Sequence, residues 1–171
     1  AIAYCDEDHY ASNVETAATS KPSVDRADAT EELEKIPTPG VKTIEGLSEL
    51  LGVGAEQTVK TLVVEGTDGP VALILRGNHE LNAVKAQKLA GGASPLTMAD
   101  PSTIWKATGA NPGSLGPVGL TIPVYFDHAV ATLSDFTCGA NDDGFHFKGV
   151  NFGRDLPDPE TVDLRNVVTG D

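Results

Sequence analysis

No apolar run in this 171-residue sequence approaches the ~18 residues that a helix needs to cross a bilayer, so no membrane span is expected. Near the start, Cys5-Asp6-Glu7-Asp8 interrupts any apolar segment, and no signal peptide is read there. The chain opens on Ala1 rather than Met, as a fragment or a processed chain does. Its two cysteines, Cys5 and Cys138, lie far apart without CxxC spacing, which fits a reduced cytoplasmic setting better than a disulfide framework. Aromatics make up only 5% of the residues, so the core must be built mainly from Val, Leu, Ile and Ala. Positive charge is scarce: 12 Lys and Arg stand against 25 Asp and Glu, a net charge of −13. That argues against a domain holding nucleic acid by its own basic surface, because phosphate contacts supply most non-specific affinity. A nucleic-acid ligand would have to be held largely by another body. His9, His79, His128 and His146 show no i, i+4 ligand spacing, so no metal is expected. G-x-S-x-G, P-loop and GxGxxG patterns are all missing, which argues against a serine-nucleophile elbow and against an ATP or dinucleotide cofactor.

What the chain does contain is enough for one domain with a sizeable core. Residues 1–20 combine Tyr4, Tyr10 and Val14 with an Ala-rich stretch and read as locally helical at most. Residues 21–40 are charged and Pro-bearing, and read as an extended linker or surface arm. The division expected is therefore an N-terminal arm over 1–40 and a compact domain over 41–171. Thr43 can cap a helix carrying Ile44, Leu47, Leu50 and Leu51 on one face, stopped by Gly52. Residues 58–65 and 70–76 are apolar runs flanking Gly66-Thr67-Asp68-Gly69, a hairpin pattern. Asn82 can cap a helix carrying Val84 and Leu89, ended by Gly91-Gly92. Residues 96–99 read as a short strand. Asp100-Pro101 is a helix start, with Ile104 and Trp105 inside and Gly109 at the end. Further strands are expected near 122–126, 131–136 and 145–152. The fold class is α+β, with a mixed, mostly antiparallel sheet flanked by helices.

Four places could carry chemistry. Lys60 sits in the apolar run Val59-Lys60-Thr61-Leu62-Val63-Val64 and by alternation shares a face with Leu62 and Val64, read as the inner face. A lysine there either snorkels at a strand end or meets an anionic ligand. The loop Gly113-Ser114-Leu115-Gly116-Pro117 is either a tight connector or a backbone shaped to aim its amides at an ester carbonyl and its developing oxyanion. His146 closes the run Gly139-Ala140-Asn141-Asp142-Asp143-Gly144-Phe145-His146, where a satisfied structural histidine and a pocket hydrogen-bonder are both open. Asp127 ends the strand Val124-Tyr125-Phe126, as turn aspartates often do.

Together these segments resemble the insertion domain of bacterial prolyl-tRNA synthetase, of the aminoacyl-tRNA deacylase superfamily. The match rests on Val59-Lys60-Thr61-Leu62, on 75–82 (Leu75-Arg76-Gly77-Asn78-His79-Glu80-Leu81-Asn82), on Gly113 to Pro117 with Val118, and on 139–146. Nearly the whole chain takes part, including its first segment and 163–171. Asn78 departs from the aspartate expected there. The resemblance implies an aminoacyl-tRNA deacylase-like fold and hydrolysis, assisted by the substrate itself, of alanine wrongly esterified to proline tRNA. Lys60 and the 113–117 loop would carry catalysis. Ile44 and Leu47 would form the small pocket for the alanine side chain, with Asp127 and His146 also binding substrate. No cofactor is implied. The implied partners are the 3′ aminoacyl end of the tRNA and the catalytic and anticodon-binding domains of a parent synthetase. The setting would be cytoplasmic and the action in cis. A free-standing deacylase acting in trans, for example on cysteinyl ester, and a non-catalytic packing or ligand-binding module are the alternatives.

Overall fold

The structure, a computed structural model, describes residues 2–4, 11–13, 17–19, 21–23, 25–89, 95–169 and 171. In chain order its elements are β1 (Ile2–Tyr4), β2 (Ala11–Asn13), β3 (Glu34–Pro37), α1 (Ile44–Leu51), a 3-10 turn (Ala55–Gln57), β4 (Val59–Gly66), β5 (Gly69–Arg76), α2 (Ala83–Leu89), α3 (Pro101–Thr108), β6 (Val124–Asp127), a second 3-10 turn (His128–Thr132), β7 (Phe136–Gly139), β8 (Phe145–Val150) and β9 (Thr161–Val162). Cys5, Tyr10, Val14 and the Gly91-Gly92 stop lie outside the described residues.

Two sheets make the body. One runs β4-β5-β6-β9, the other β3-β8-β7, and β1 pairs β2 in a separate two-stranded ribbon. β4 and β5 form the expected hairpin, antiparallel from Val59 opposite Arg76 to Gly66 opposite Gly69. β6 and β9 then add in parallel, so the sheet is mixed. A bridge from Thr58 to Thr137 joins the two sheets where β4 meets β7. The α+β architecture expected from the sequence is the one observed.

β5 is a near-continuous apolar run because both of its faces are covered. Ala72 and Ile74 meet Phe136, Cys138 and Val150 of the second sheet. Leu73 and Leu75 face the other way, against Ala86 of α2 and Leu164. Each of Leu73, Ile74 and Leu75 is wholly buried, contributing roughly 1.5–3 kcal/mol by removal from water. A third cluster joins Val63, Ile104 of α3 and Leu115. This cluster seats the 113–117 loop on the edge of β4.

The helix ends follow the sequence signals. The Thr43 hydroxyl accepts from the Gly46 N–H, and Gly52 ends α1 in the left-handed region at φ 66°. Asp100 caps α3 through the Thr103 N–H, with Pro101 at the first turn and Gly109 left-handed at φ 80°. Two strand expectations need correction. Residues 131–136 form no strand: 128–132 wind into the 3-10 turn, with Asp127 accepting from the Ala129 N–H, and β7 begins only at Phe136. Residues 96–99 give one bridge, Met98 opposite Val64, rather than a strand. Glu34–Pro37, inside the stretch read as an arm, is extended as expected but is hydrogen-bonded to β8 in register from Glu34 opposite Lys148 to Pro37 opposite Phe145.

Candidate functional site

α1, β4, the 113–117 loop and the facing ends of β7 and β8 enclose a cavity of about 270 Å³. That is small beside the ~300–1,000 Å³ of sites for drug-sized ligands. Ile44 and Leu47 form its apolar wall, with Leu47 buried. The capped start of α1 fixes this wall, because Thr43 holds the first turn against the cavity rim.

Lys60 enters from β4. Among the described residues its ammonium makes no ion pair or hydrogen bond, and no carboxylate lines the cavity. An ammonium in this position is available to an anion or to a substrate oxygen. The expectation that it shares the only inner face with Leu62 and Val64 is too simple. Both faces of β4 are covered, and Val59, Thr61 and Val63 turn toward the second sheet and the loop. Thr61 also lines the cavity, and its hydroxyl is buried with no hydrogen-bond partner among the described residues.

The 113–117 loop is glycine-dependent for two reasons. Gly113 has φ 99°, and a Cβ there would come within 2.8 Å of the Lys42 backbone. A Cβ on Gly116 would overlap the Gly139 carbonyl. Within the loop the amides divide. The Ser114 N–H donates to the Asn111 carbonyl at 3.1 Å, the Gly116 N–H donates to Asn141 Oδ1 at 2.9 Å, and Pro117 has no N–H. Among the described residues no hydrogen bond engages the N–H of Gly113 or of Leu115. Gly113 and Leu115 are also the two loop residues that line the cavity. Ser114, Gly116 and Pro117 do not line it; they shape the loop from behind.

His146, on β8, lines the cavity while only 4% exposed. Its Nδ1 is hydrogen-bonded to the buried Thr38 hydroxyl. Burial pushes its pKa below the ordinary histidine value, opposed by a hydrogen bond to the Gly113 backbone. The ring is therefore neutral at pH 7 and ties β8 to the first residue of the loop.

Asp127 is not brought to this cavity. It is wholly buried at the far end of β6, accepting from the Ala129 and Leu164 N–H groups at 3.0 and 2.8 Å and lying 3.9 Å from Arg165. It belongs to a second polar cluster with Arg76, His79, Arg165 and Asp171. Sequence reasoning also passed over Thr38, Thr61 and Asn141. Only Asn141 gave a signal, as an asparagine inside a glycine-rich turn, because such residues tolerate the left-handed φ of 54° it adopts.

Comparison with known proteins identifies the family and the fold. Residues 38–156 match the family described as the aminoacyl-tRNA editing domain. The whole chain is 51% identical, over 172 aligned residues, to a proline–tRNA ligase of Chromobacterium violaceum, and it spans 30% of that relative's length. Among solved structures, a candidate trans-editing enzyme for prolyl tRNA synthetase superposes with TM-score 0.66 at 25% identity, over 79% of this chain and 87% of the other. A hypothetical protein at 20% identity and TM-score 0.60, over 79% of this chain and 92% of its own, shares the fold.

Proposed function

We infer that this chain, which belongs to the aminoacyl-tRNA editing domain family, hydrolyses the ester of alanine mischarged onto proline tRNA and does so as part of a longer prolyl-tRNA synthetase. The observation that carries the chemistry is the small cavity lined by Lys60, Gly113 and Leu115, where among the described residues the ammonium and the two backbone N–H groups have no partner. An aminoacyl ester is already activated, so hydrolysis needs positioning and charge stabilisation more than a protein nucleophile. Water attacks the ester carbonyl, whose oxygen gains negative charge and is met by the Gly113 and Leu115 N–H groups. The carbon–oxygen bond to the ribose breaks, and the ribose oxygen takes up a proton. A hydroxyl of the tRNA itself shares the proton traffic, while Lys60 holds the 3′ nucleotide. Neutral His146 helps define the acceptor side of the pocket without adding charge.

Selection follows from size. A synthetase site built for proline cannot strongly exclude alanine, since each missing methylene changes binding by only ~1–3 kcal/mol. A second pocket walled by Ile44 and Leu47 admits the smaller side chain and refuses the larger. The full-length match to part of a proline–tRNA ligase supports action in cis. The net charge of −13 supports it too, because most of the tRNA must be held elsewhere. The structural likeness to a candidate trans-editing enzyme keeps a second reading, action in trans, in view.

The test is deacylation of alanyl-, cysteinyl- and prolyl-tRNA for proline, by this chain alone and by the longer protein. Loss of alanine only is the expected result. Lys60→Ala should lower the rate about 100-fold, the order of loss when a substrate-positioning contact is removed, with the fold retained. Wild-type turnover in that variant would remove Lys60 from the site. Preference for cysteinyl ester, with full activity of the chain alone, would favour the trans reading.

A further inference from the structure

We propose that Asn141 is the positioning residue of this site, a single side chain that sets the carbonyl-binding amides of Gly113 and Leu115. The inference rests on the editing reading above and adds to it the device that builds the oxyanion site. The 113–117 loop does not hold its own shape. Its one internal support is the Ser114 N–H donating to the Asn111 carbonyl. Among the described residues, every other polar tie comes from the turn between β7 and β8 or from the start of β8. The Asp143 carboxylate accepts from the Asn111 N–H at 2.8 Å and from its side-chain amide at 2.6 Å. His146, on β8, lines the cavity beside Gly113, and the Gly113 backbone opposes the downward pull of burial on its pKa. Asn141 provides the middle of the clamp: its Oδ1 accepts from the Gly116 N–H at 2.9 Å, and its Nδ2 donates to the Gly116 and Val118 carbonyls at 2.9 and 3.1 Å. Its own N–H donates to the Ser114 carbonyl at 2.8 Å.

These bonds fix which amides stay available. With the Ser114 N–H taken by Asn111 and no N–H on Pro117, the capture of the Gly116 N–H by Asn141 leaves, among the described residues, the N–H groups of Gly113 and Leu115 as the unengaged ones of the loop, and those two residues line the cavity. The position demands two properties at once. The backbone sits at φ 54°, where asparagine, aspartate and glycine are tolerated and other side chains are strained. The side chain must be both donor and acceptor. Glycine satisfies the first demand, aspartate the first and half of the second, and only asparagine satisfies both. Beside it, Gly139 has no room for a Cβ against the Ser114 and Leu115 backbone, so the turn and the loop lie in direct contact.

The experiment compares Asn141→Asp and Asn141→Gly with the wild type in the longer protein, using alanyl-tRNA for proline. Both variants should lose about 10- to 100-fold in kcat with KM little changed, because misplacement of reacting groups by about an ångström costs on that order. Asn141→Asp carries its own control. Its carboxylate faces the Gly116 and Val118 carbonyls, which favours the protonated acid, and the acid regains a donor. The ratio of its rate to the wild-type rate should therefore rise as pH is lowered from 8 to 5, a change that a merely loosened fold would not give. Amide hydrogen exchange, which needs no substrate, should show faster exchange at 113–118 in Asn141→Gly, with the core strands unchanged. Wild-type kcat in both variants, or loss of activity that only follows the unfolded fraction, would overturn the assignment. Faster loop exchange in Asn141→Gly, together with a wild-type protein that cleaves no aminoacyl ester, would keep the clamp but overturn the editing reading and with it the positioning role given to Asn141.

Discussion

Thr61 bears a hydroxyl that is buried without a partner among the described residues, at the cavity wall formed by β4. A hydroxyl left unsatisfied in an apolar setting costs roughly 1–3 kcal/mol, and an apolar group of the same shape avoids that cost. Thr61→Val should therefore raise stability by about 1 kcal/mol, read as a higher urea midpoint at unchanged slope. Unchanged or lower stability would mean that the hydroxyl does find a partner in solution. Cys138 is the opposite case among the small side chains near the site. It is wholly buried and its thiol is pushed up to about 12, so it packs between the sheets and has no nucleophilic role. The contrast with Lys60, half-buried and without a counter-ion, shows where this chain leaves reactive groups exposed to a ligand and where it does not.

α1 serves as both core helix and pocket wall, and Leu47 carries both functions. Leu47→Ala should cost about 2–5 kcal/mol, as large-to-small core changes do, and should admit prolyl ester to hydrolysis. Deacylation of prolyl-tRNA by a variant confirmed to be folded measures it, and continued refusal of proline would take Leu47 out of the size limit. The helix itself was readable in advance because its signals are local: Thr43 before it, Gly52 after it, apolar residues one turn apart between. The same holds for α3, with Asp100-Pro101 and Gly109, and for the β4–β5 hairpin around Gly66 to Gly69. What could not be read was long-range. The apolar residues of 128–133 are buried in a 3-10 turn because Asp127 caps it, and alternation alone reads them as a strand. β3 gains its order from β8, over 100 residues away. Lys60, Ile44, Leu47, Gly113, Leu115 and His146 converge as the motifs suggest. Asp127 does not, because a strand-end aspartate looks the same in sequence whether it faces a ligand or caps a turn. Asn141 was hidden because its partners are the backbone of a loop about 25 residues earlier.

Away from the cavity, a polar cluster ties early and late parts of the chain to the central sheet. Asp163 accepts from the N–H and hydroxyl of Thr19 and pairs with Lys85, while Arg165 pairs with Asp171 and lies near Asp127. His79 sits 6% exposed within it, its Nε2 bonded to Arg76 at 2.9 Å. Burial, then the Arg76 and Arg165 charges, lower its pKa from 6.5 to about 4, against a weaker upward pull from Asp127 and Asp171. The folded state therefore resists a proton that the unfolded chain accepts. Between pH 6.5 and 4 the unfolded state binds more protons, so stability must fall as pH falls through that window. His146, whose pKa is also lowered by burial, adds to the slope in the same direction. Aspartates act lower on the scale: Asp135, held at about 2 by hydrogen bonds from Thr30, Asn151 and Glu31 that outweigh its desolvation, contributes stability that is lost only as pH drops from the ordinary value of 3.8 toward 2. The two windows separate the causes. Urea midpoints measured from pH 7.5 to 4.5 should decline, and His79→Gln, neutral throughout, should remove a large part of that decline while leaving the loss below pH 4 in place. A wild-type midpoint that stays level down to pH 4.5 would mean that His79 takes up its proton in the folded protein, and that the cluster opens to solvent more readily than its burial implies.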